Sequence, residues 1–183
     1  MNNFILDNLL FDEFNLNVIE VAVNNLVEPI VVIPQRNDRP LFYVMYAGLP
    51  GMVGIIDGCH IEIKQPVNNA VDFFNRKETH SIVLQAVCDD NCLLTDVFIG
   101  IPGRVHNARV FQQSPLYHQL VSFPPLILAG QHLEADAAYP LMTNGLKPYR
   151  DNGHLSQKQI KFNQTLSAQR SVLEKPFGLI KGR

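Results

Sequence analysis

The chain has 183 residues, a formal net charge of −2 and a hydrophobic share of 46%, which suits one domain with a proper core and argues against a second. Charged residues make up 17%, below the usual share of about 25%, which excludes a highly solvated or disordered chain. No positive leader region precedes the first apolar stretch, which Asp7, Asp12 and Glu13 interrupt, and no uncharged apolar run reaches the ~20 residues of a membrane span.

Residues 3–28 place Phe4, Ile5, Leu9, Leu10, Phe14, Val18, Val21 and Leu26 at mixed helical spacing, giving one or two helices. Residues 29–33 read as a short strand and residues 34–40 as a loop. Val53 to Ile63 is a strand: β-branched first, then alternating as Ile61-Glu62-Ile63-Lys64. Ser81 to Asp89 and Leu93 to Gly100 form a hairpin around Asp89-Asp90-Asn91, and Gly100-Ile101-Pro102-Gly103 ends the second of these strands. Asn107 is placed to cap a helix through about His118, with Val110, Phe111, Leu116 and Leu120 on its core face. Leu126 to Ala129 and Leu133 to Ala135 are strand-like. Pro140 to Asn163 reads as a polar loop, and Thr165 to about Lys181 as a helix that Pro176 bends or breaks. Three strands, a helix, a further strand and a terminal helix make a mixed α/β pattern.

Charge is unevenly spread. Residues 1–35 hold Asp7, Asp12, Glu13, Glu20 and Glu28 and no Lys or Arg. From residue 147 onward Lys147, Arg150, Lys158, Lys161, Arg170, Lys175, Lys181 and Arg183 face only Asp151 and Glu174. A basic face that can approach phosphate and an ordinary solvated helix surface both fit this pattern. Cys59, Cys88 and Cys92 form no CxxC pair, which fits free thiols in a reducing compartment and argues against zinc.

Three carboxylates stand in distinctive settings. Asp57 closes the apolar run Gly54-Ile55-Ile56 and precedes Gly58. Asp136 follows Leu133-Glu134-Ala135 at a strand end, and Glu174 lies four residues after Arg170 in the terminal helical pattern. Singly, they also read as a turn or cap residue, a turn into Tyr139-Pro140, and an i, i+4 ion pair with Arg170. Together they form an all-oxygen donor set of the kind Mg²⁺ or Mn²⁺ takes.

The surrounding blocks carry a resemblance. They are Gly54 to Ile61, Asn75-Arg76-Lys77 with His80-Ser81-Ile82, Gln85 to Asp89, and Gly100 to Phe111. Asp136-Ala137-Ala138-Tyr139-Pro140-Leu141, Pro148-Tyr149, Phe162-Asn163 and Glu174 to Arg183 complete the set. In this order they resemble the PIF/Harbinger transposases and the nuclease-like proteins derived from them, within the DDE superfamily, over about residues 52–183.

The resemblance implies an α/β RNase H-like core with a mixed central sheet flanked by helices, filling residues 51–183. It places the catalytic and metal-binding triad on Asp57, Asp136 and Glu174. Clustered carboxylates repel one another, and two divalent ions about 3.5–4 Å apart relieve this while activating the nucleophile and stabilising the leaving oxygen. The implied partner is DNA, with Arg76, Lys77, Arg104, Arg109 and Lys181 as candidate nucleic-acid contacts. The implied compartment is the nucleus, with the cytoplasm as a second one. His60 reads as structural on strand alternation, and His106 and Arg109 as DNA contacts or braces.

The chain departs from that family in three places. Asn107 stands where the family usually has Asp. Residues 1–50 show no recognisable helix-turn-helix, which points to a separate DNA-binding partner protein. The sequence ends at Arg183 inside the last block, as in a truncated copy. Three functions are therefore carried forward: a metal-dependent endonuclease, an inactive relic acting as a DNA- or protein-interaction module, and a general phosphohydrolase.

Overall fold

The longest run of β-branched and apolar residues forms the centre of the fold. A computed structural model describes residues 30–32, 49–89, 93–124, 126–171 and 177. Strand β1 is Ile30–Val32, β2 is Met52–Glu62, and the short helix α1 is Ala70–Phe73. Strands β3 (Ser81–Cys88) and β4 (Leu94–Pro102) follow, then helices α2 (Asn107–Gln113) and α3 (Pro115–Val121). Strands β5 (His132–Glu134) and β6 (Gly145–Leu146) and helix α4 (Gln157–Arg170) complete the order.

The strands form one six-stranded sheet in the order β1-β4-β3-β2-β5-β6. β2, β3 and β4 pair antiparallel, whereas β5 joins β2 in parallel. One face of the sheet carries Ile55, Cys59, Leu84, Ala86 and Ile99 with Phe73 and Phe177. The other carries Ile56, Val87 and Leu133 against Phe111, Leu116, Leu120 and Tyr139. Every residue of β3 is buried, as expected of a central strand covered on both sides. This is the mixed α/β, RNase H-like architecture that the sequence leads one to expect.

Several boundaries differ from expectation. β4 does not stop at Gly100 but runs to Pro102. A register shift between Val83 and Leu84 places Val83 opposite Ile101 and Leu84 opposite Ile99, so Gly100 is absorbed in a bulge. The expected single helix from Asn107 to His118 is two helices. Ser114 has an extended backbone, its side chain accepts from the Tyr117 amide, and Pro115 opens the next helix. His106, not Asn107, is the residue before the first of them. Leu126 to Ala129 is not a strand.

The terminal helix begins at Gln157, well before the expected Thr165, because Ser156 and Gln159 form a reciprocal capping box. The same helix removes much of the expected loop over 140–163, which also contains β6. The helices expected in 3–28, the loop at 34–40 and the bend at Pro176 lie outside the described residues.

Candidate active site

The parallel pairing of β2 with β5 sets the site. Ile55 pairs with Glu134, so Asp57, in the middle of β2, and Asp136, just past the end of β5, each lie two residues further on and on one face. Ile55 and Cys59, which alternate with Asp57, belong to the core cluster that includes Phe177. Asp57 thus faces the side of the sheet approached by the C-terminal segment.

Asp57 is held at both oxygens. Oδ1 accepts from the Gly58 amide at 2.8 Å, and Oδ2 accepts from Arg170 Nη2 at 2.9 Å. The two side chains are 25% (Arg170) and 23% (Asp57) exposed. Burial raises the Asp57 pKa, the Gly58 amide and the Arg170 guanidinium oppose this, and the negative charge of Asp136 pushes it further up. The two acids are therefore close enough to feel each other.

Asp136 sits in a tied-down turn. Its Oδ1 accepts from the Ala138 amide at 2.7 Å, and its carbonyl accepts from the Tyr139 amide at 3.2 Å. Lys147 Nζ donates to the Ala137 and Tyr139 carbonyls at 3.3 and 2.8 Å, clamping the same loop. The turn reading of Asp136 is thus borne out.

Gly58 belongs to the site by close approach. A Cβ there would lie 2.9 Å from Asn107 Oδ1, too close to be accommodated without movement. Asn107 is thus an inward polar group behind the Asp57 backbone rather than a helix cap.

Three further side chains join this group that the sequence does not assign to it. Arg170, expected as the partner of Glu174, reaches Asp57 across the fold. Glu134 is fully buried, and burial pushes its pKa up to about 7 while Arg170 opposes the shift. Tyr139 is buried, and burial together with Asp57 and Asp136 raises its pKa, so its hydroxyl keeps its proton. The only sequence signal for them was position: Glu134 and Tyr139 flank Asp136, and Arg170 lies one helical turn before Glu174.

The donor chemistry fits a hard divalent cation, with the Asp57 and Asp136 carboxylates on adjacent chain segments. Among the described residues, the Tyr139 hydroxyl and Arg170 Nε are buried without a hydrogen-bond partner, which leaves polar capacity beside the acids. Among the described residues no group of three or more His, Cys, Asp or Glu side chains is set to hold a metal. Glu174, the expected third acid, lies outside the described residues. Arg170 and Phe177, described residues on either side of it in sequence, both reach the Asp57 face.

The expected nucleic-acid contacts divide. Arg76, Lys77 and Arg104 line one cavity of about 560 Å³ with His60, His106 and Asn107. Arg109 is exposed on α2 and is not in that lining, and Lys181 lies outside the described residues. His60 Nδ1 lies 2.9 Å from Ser81 Oγ, which agrees with its structural reading. No described helix is long and apolar enough to cross a membrane.

A mixed sheet with one acid on its β2 strand, a second just past the end of the adjacent β5, and helices packed on it makes an RNase H-like core. A family model described as DDE superfamily endonuclease matches residues 56–183, and the chain belongs to that family, whose endonucleases typically use divalent metals. It is 32% identical over 143 residues to "Putative nuclease HARBI1" of Bos taurus and to the protein of the same name in Homo sapiens. Each of these matches covers 75% of this chain and 38% of the relative. The Rattus norvegicus counterpart is 33% identical over 131 residues, 70% of this chain and 36% of its own length. The chain thus spans well under half the length of the curated relatives it matches. No solved structure matches it.

Proposed function

We propose that the chain carries the catalytic core of a divalent-metal-dependent DNA endonuclease of the Harbinger transposase-derived type. The observation that supports this best is the placement of Asp57, in the middle of β2, beside Asp136, just past the end of the neighbouring β5, within a DDE endonuclease domain. Asp57 and Asp136, with Glu174 from the C-terminal segment, would hold the metal. A pair of such ions lowers the pKa of an attacking water or 3′-hydroxyl and stabilises the leaving oxygen of the phosphodiester.

The protein's own groups prepare this chemistry. The Gly58 amide and Arg170 favour the ionised, ligating form of Asp57 and oppose the burial that raises its pKa. The Ala138 amide fixes one oxygen of Asp136, and Lys147 clamps the loop that carries it. Tyr139 keeps a buried, protonated hydroxyl whose pKa both acids help to raise, with donor capacity for a water oxygen there. On this reading the protein would act in the nucleus, with the cytoplasm as a second compartment, and target choice would come from a separate DNA-binding partner.

A second reading, a non-catalytic DNA- or protein-interaction module, draws on the ion pair that already neutralises Asp57. Nicking of supercoiled plasmid in Mn²⁺ separates the two. Nicking by the native chain that Asp57→Ala lacks is the expected result, and equal nicking by both overturns the nuclease reading. Hydrolysis of a small phosphate ester but not of DNA would favour a general phosphohydrolase.

A further inference from the structure

The cavity lined by Arg76, Lys77 and Arg104 is a built feature. Asn75, 6% exposed, organises the turn that carries the first two. Its Oδ1 accepts from the Lys77 amide at 2.8 Å, and its Nδ2 donates to Thr79 Oγ1 at 3.0 Å and Ser81 Oγ at 2.7 Å. Ser81 also fixes the opposite wall, because its carbonyl accepts from the Gly103 amide at 2.8 Å. A Cβ on Gly103 would lie 2.1 Å from Ser81 Oγ, so the turn carrying Arg104 packs directly on the residue that anchors the Arg76 turn. Arg76 Nη2 lies 3.1 Å from His106 Nε2, joining the two walls at the mouth.

The charge is one-sided. Among the described residues no Asp or Glu lines this cavity. Among the described residues, Arg76, Lys77 and Arg104 enter no ion pair, so three cations converge without a carboxylate to neutralise them. Such a cradle favours a compact anion.

The cavity adjoins the chain that follows both acids, at Gly58 and Ala138, with neither acid in its lining. Asn107 in its wall packs on Gly58, whose amide bonds Asp57, and Ala138 in its wall donates to Asp136. Pairing of β5 with β2 ends at Ile55, two residues before Asp57. A strand presented to the acids can therefore continue past β2 toward the cations.

We propose that this cavity is a phosphate subsite that takes one backbone phosphate of the nucleic acid next to the phosphate held at Asp57 and Asp136. This rests on the nuclease reading above. Arg76, Lys77 and Arg104 share that single phosphate, and Arg109 lies outside the subsite.

The test measures DNA binding in EDTA, where cleavage plays no part. Fluorescence anisotropy of a labelled oligonucleotide, single-stranded and duplex, is followed across a salt series for the full chain and for Arg104→Gln, Arg76→Gln/Lys77→Gln and the triple variant. All three residues are exposed, and equal melting temperatures confirm that the variants fold. Each neutralised phosphate contributes about 0.7 (single strand) to 0.9 (duplex) to the slope of log affinity against log salt.

One shared phosphate means that the triple variant loses about one such contribution. A loss of about three contributions would mean three separate phosphates and would overturn the subsite, and so would an unchanged slope. A melting shift with inorganic phosphate, combined with an unchanged DNA slope, would assign the cavity to a small free anion and would also overturn it. Absence of plasmid nicking counts against the nuclease reading alone, since the salt slope is read without metal.

Discussion

Replacing Arg170 by glutamine tests the electrostatics of the site most sharply. The guanidinium donates to Asp57 Oδ2 at 2.9 Å, and the two side chains are 25% and 23% exposed. Exposed pairs contribute up to about 1 kcal/mol, whereas removing one partner of a buried pair costs about 3–5 kcal/mol. A mostly buried pair with a second acid in reach falls between these, at about 2 kcal/mol. For a chain of this size each kcal/mol moves the melting temperature by about 2–4 °C, so Arg170→Gln is expected to melt about 4–8 °C lower in EDTA.

Divalent metal should then reverse the order of response. Without Arg170, Asp57 and Asp136 repel uncompensated, and a divalent cation restores more than it does in the native chain. Thermal melts with and without Mn²⁺ read both effects. An unchanged melting temperature in EDTA together with equal Mn²⁺ shifts in both proteins would refute the role of Arg170 as the counter-ion of the acids.

Other outcomes follow from single residues. Burial raises the Asp96 pKa from 3.8 to about 6, so the native state binds the extra proton and stability falls as pH rises through that window. Above it the cost is ~3 kcal/mol, and Glu134 adds a loss of the same sign. Urea titrations from pH 4 to 8 should show Asp96→Asn with a flatter profile than the native chain, and identical profiles would remove Asp96 from the account. Gly58→Ala should lose about 1–2 kcal/mol through its contact with Asn107, and Asn107→Ala in the same chain should recover most of it. Ser156→Ala should cost about 1 kcal/mol by removing the capping box of α4, again read by urea titration.

The sheet and the two described acids were legible for a shared reason. β2, β3 and β4 are rich in Val, Ile and Leu, and Asp57 and Asp136 interrupt or follow apolar runs where an ionised group needs compensation. The parts that escaped lacked a periodic signal. Helix α4 is largely polar and buries Leu166 alone among its residues, so no apolar stripe marked its first two turns, although Ser156 and Gln159 carried the capping signature. The Ser114-Pro115 break was readable from the proline but was overridden by the apolar spacing on either side. Arg170 was invisible as the partner of Asp57 because they lie 113 residues apart, and local spacing suggests only neighbours. The convergence of Arg76, Lys77 and Arg104 likewise depends on Ser81 joining two turns, which no single segment reveals.

The decisive measurement is Mn²⁺ binding, followed by loss of the free-ion electron paramagnetic resonance signal, for the native chain and for Asp57→Asn, Asp136→Asn and Glu174→Gln. If the three carboxylates share a metal site, the native chain takes up Mn²⁺ and each replacement weakens binding by at least ~10-fold, about 1.4 kcal/mol per lost ligand. Equal Mn²⁺ uptake by all four proteins, or none by the native chain, would contradict the assignment of these acids as the metal-binding triad.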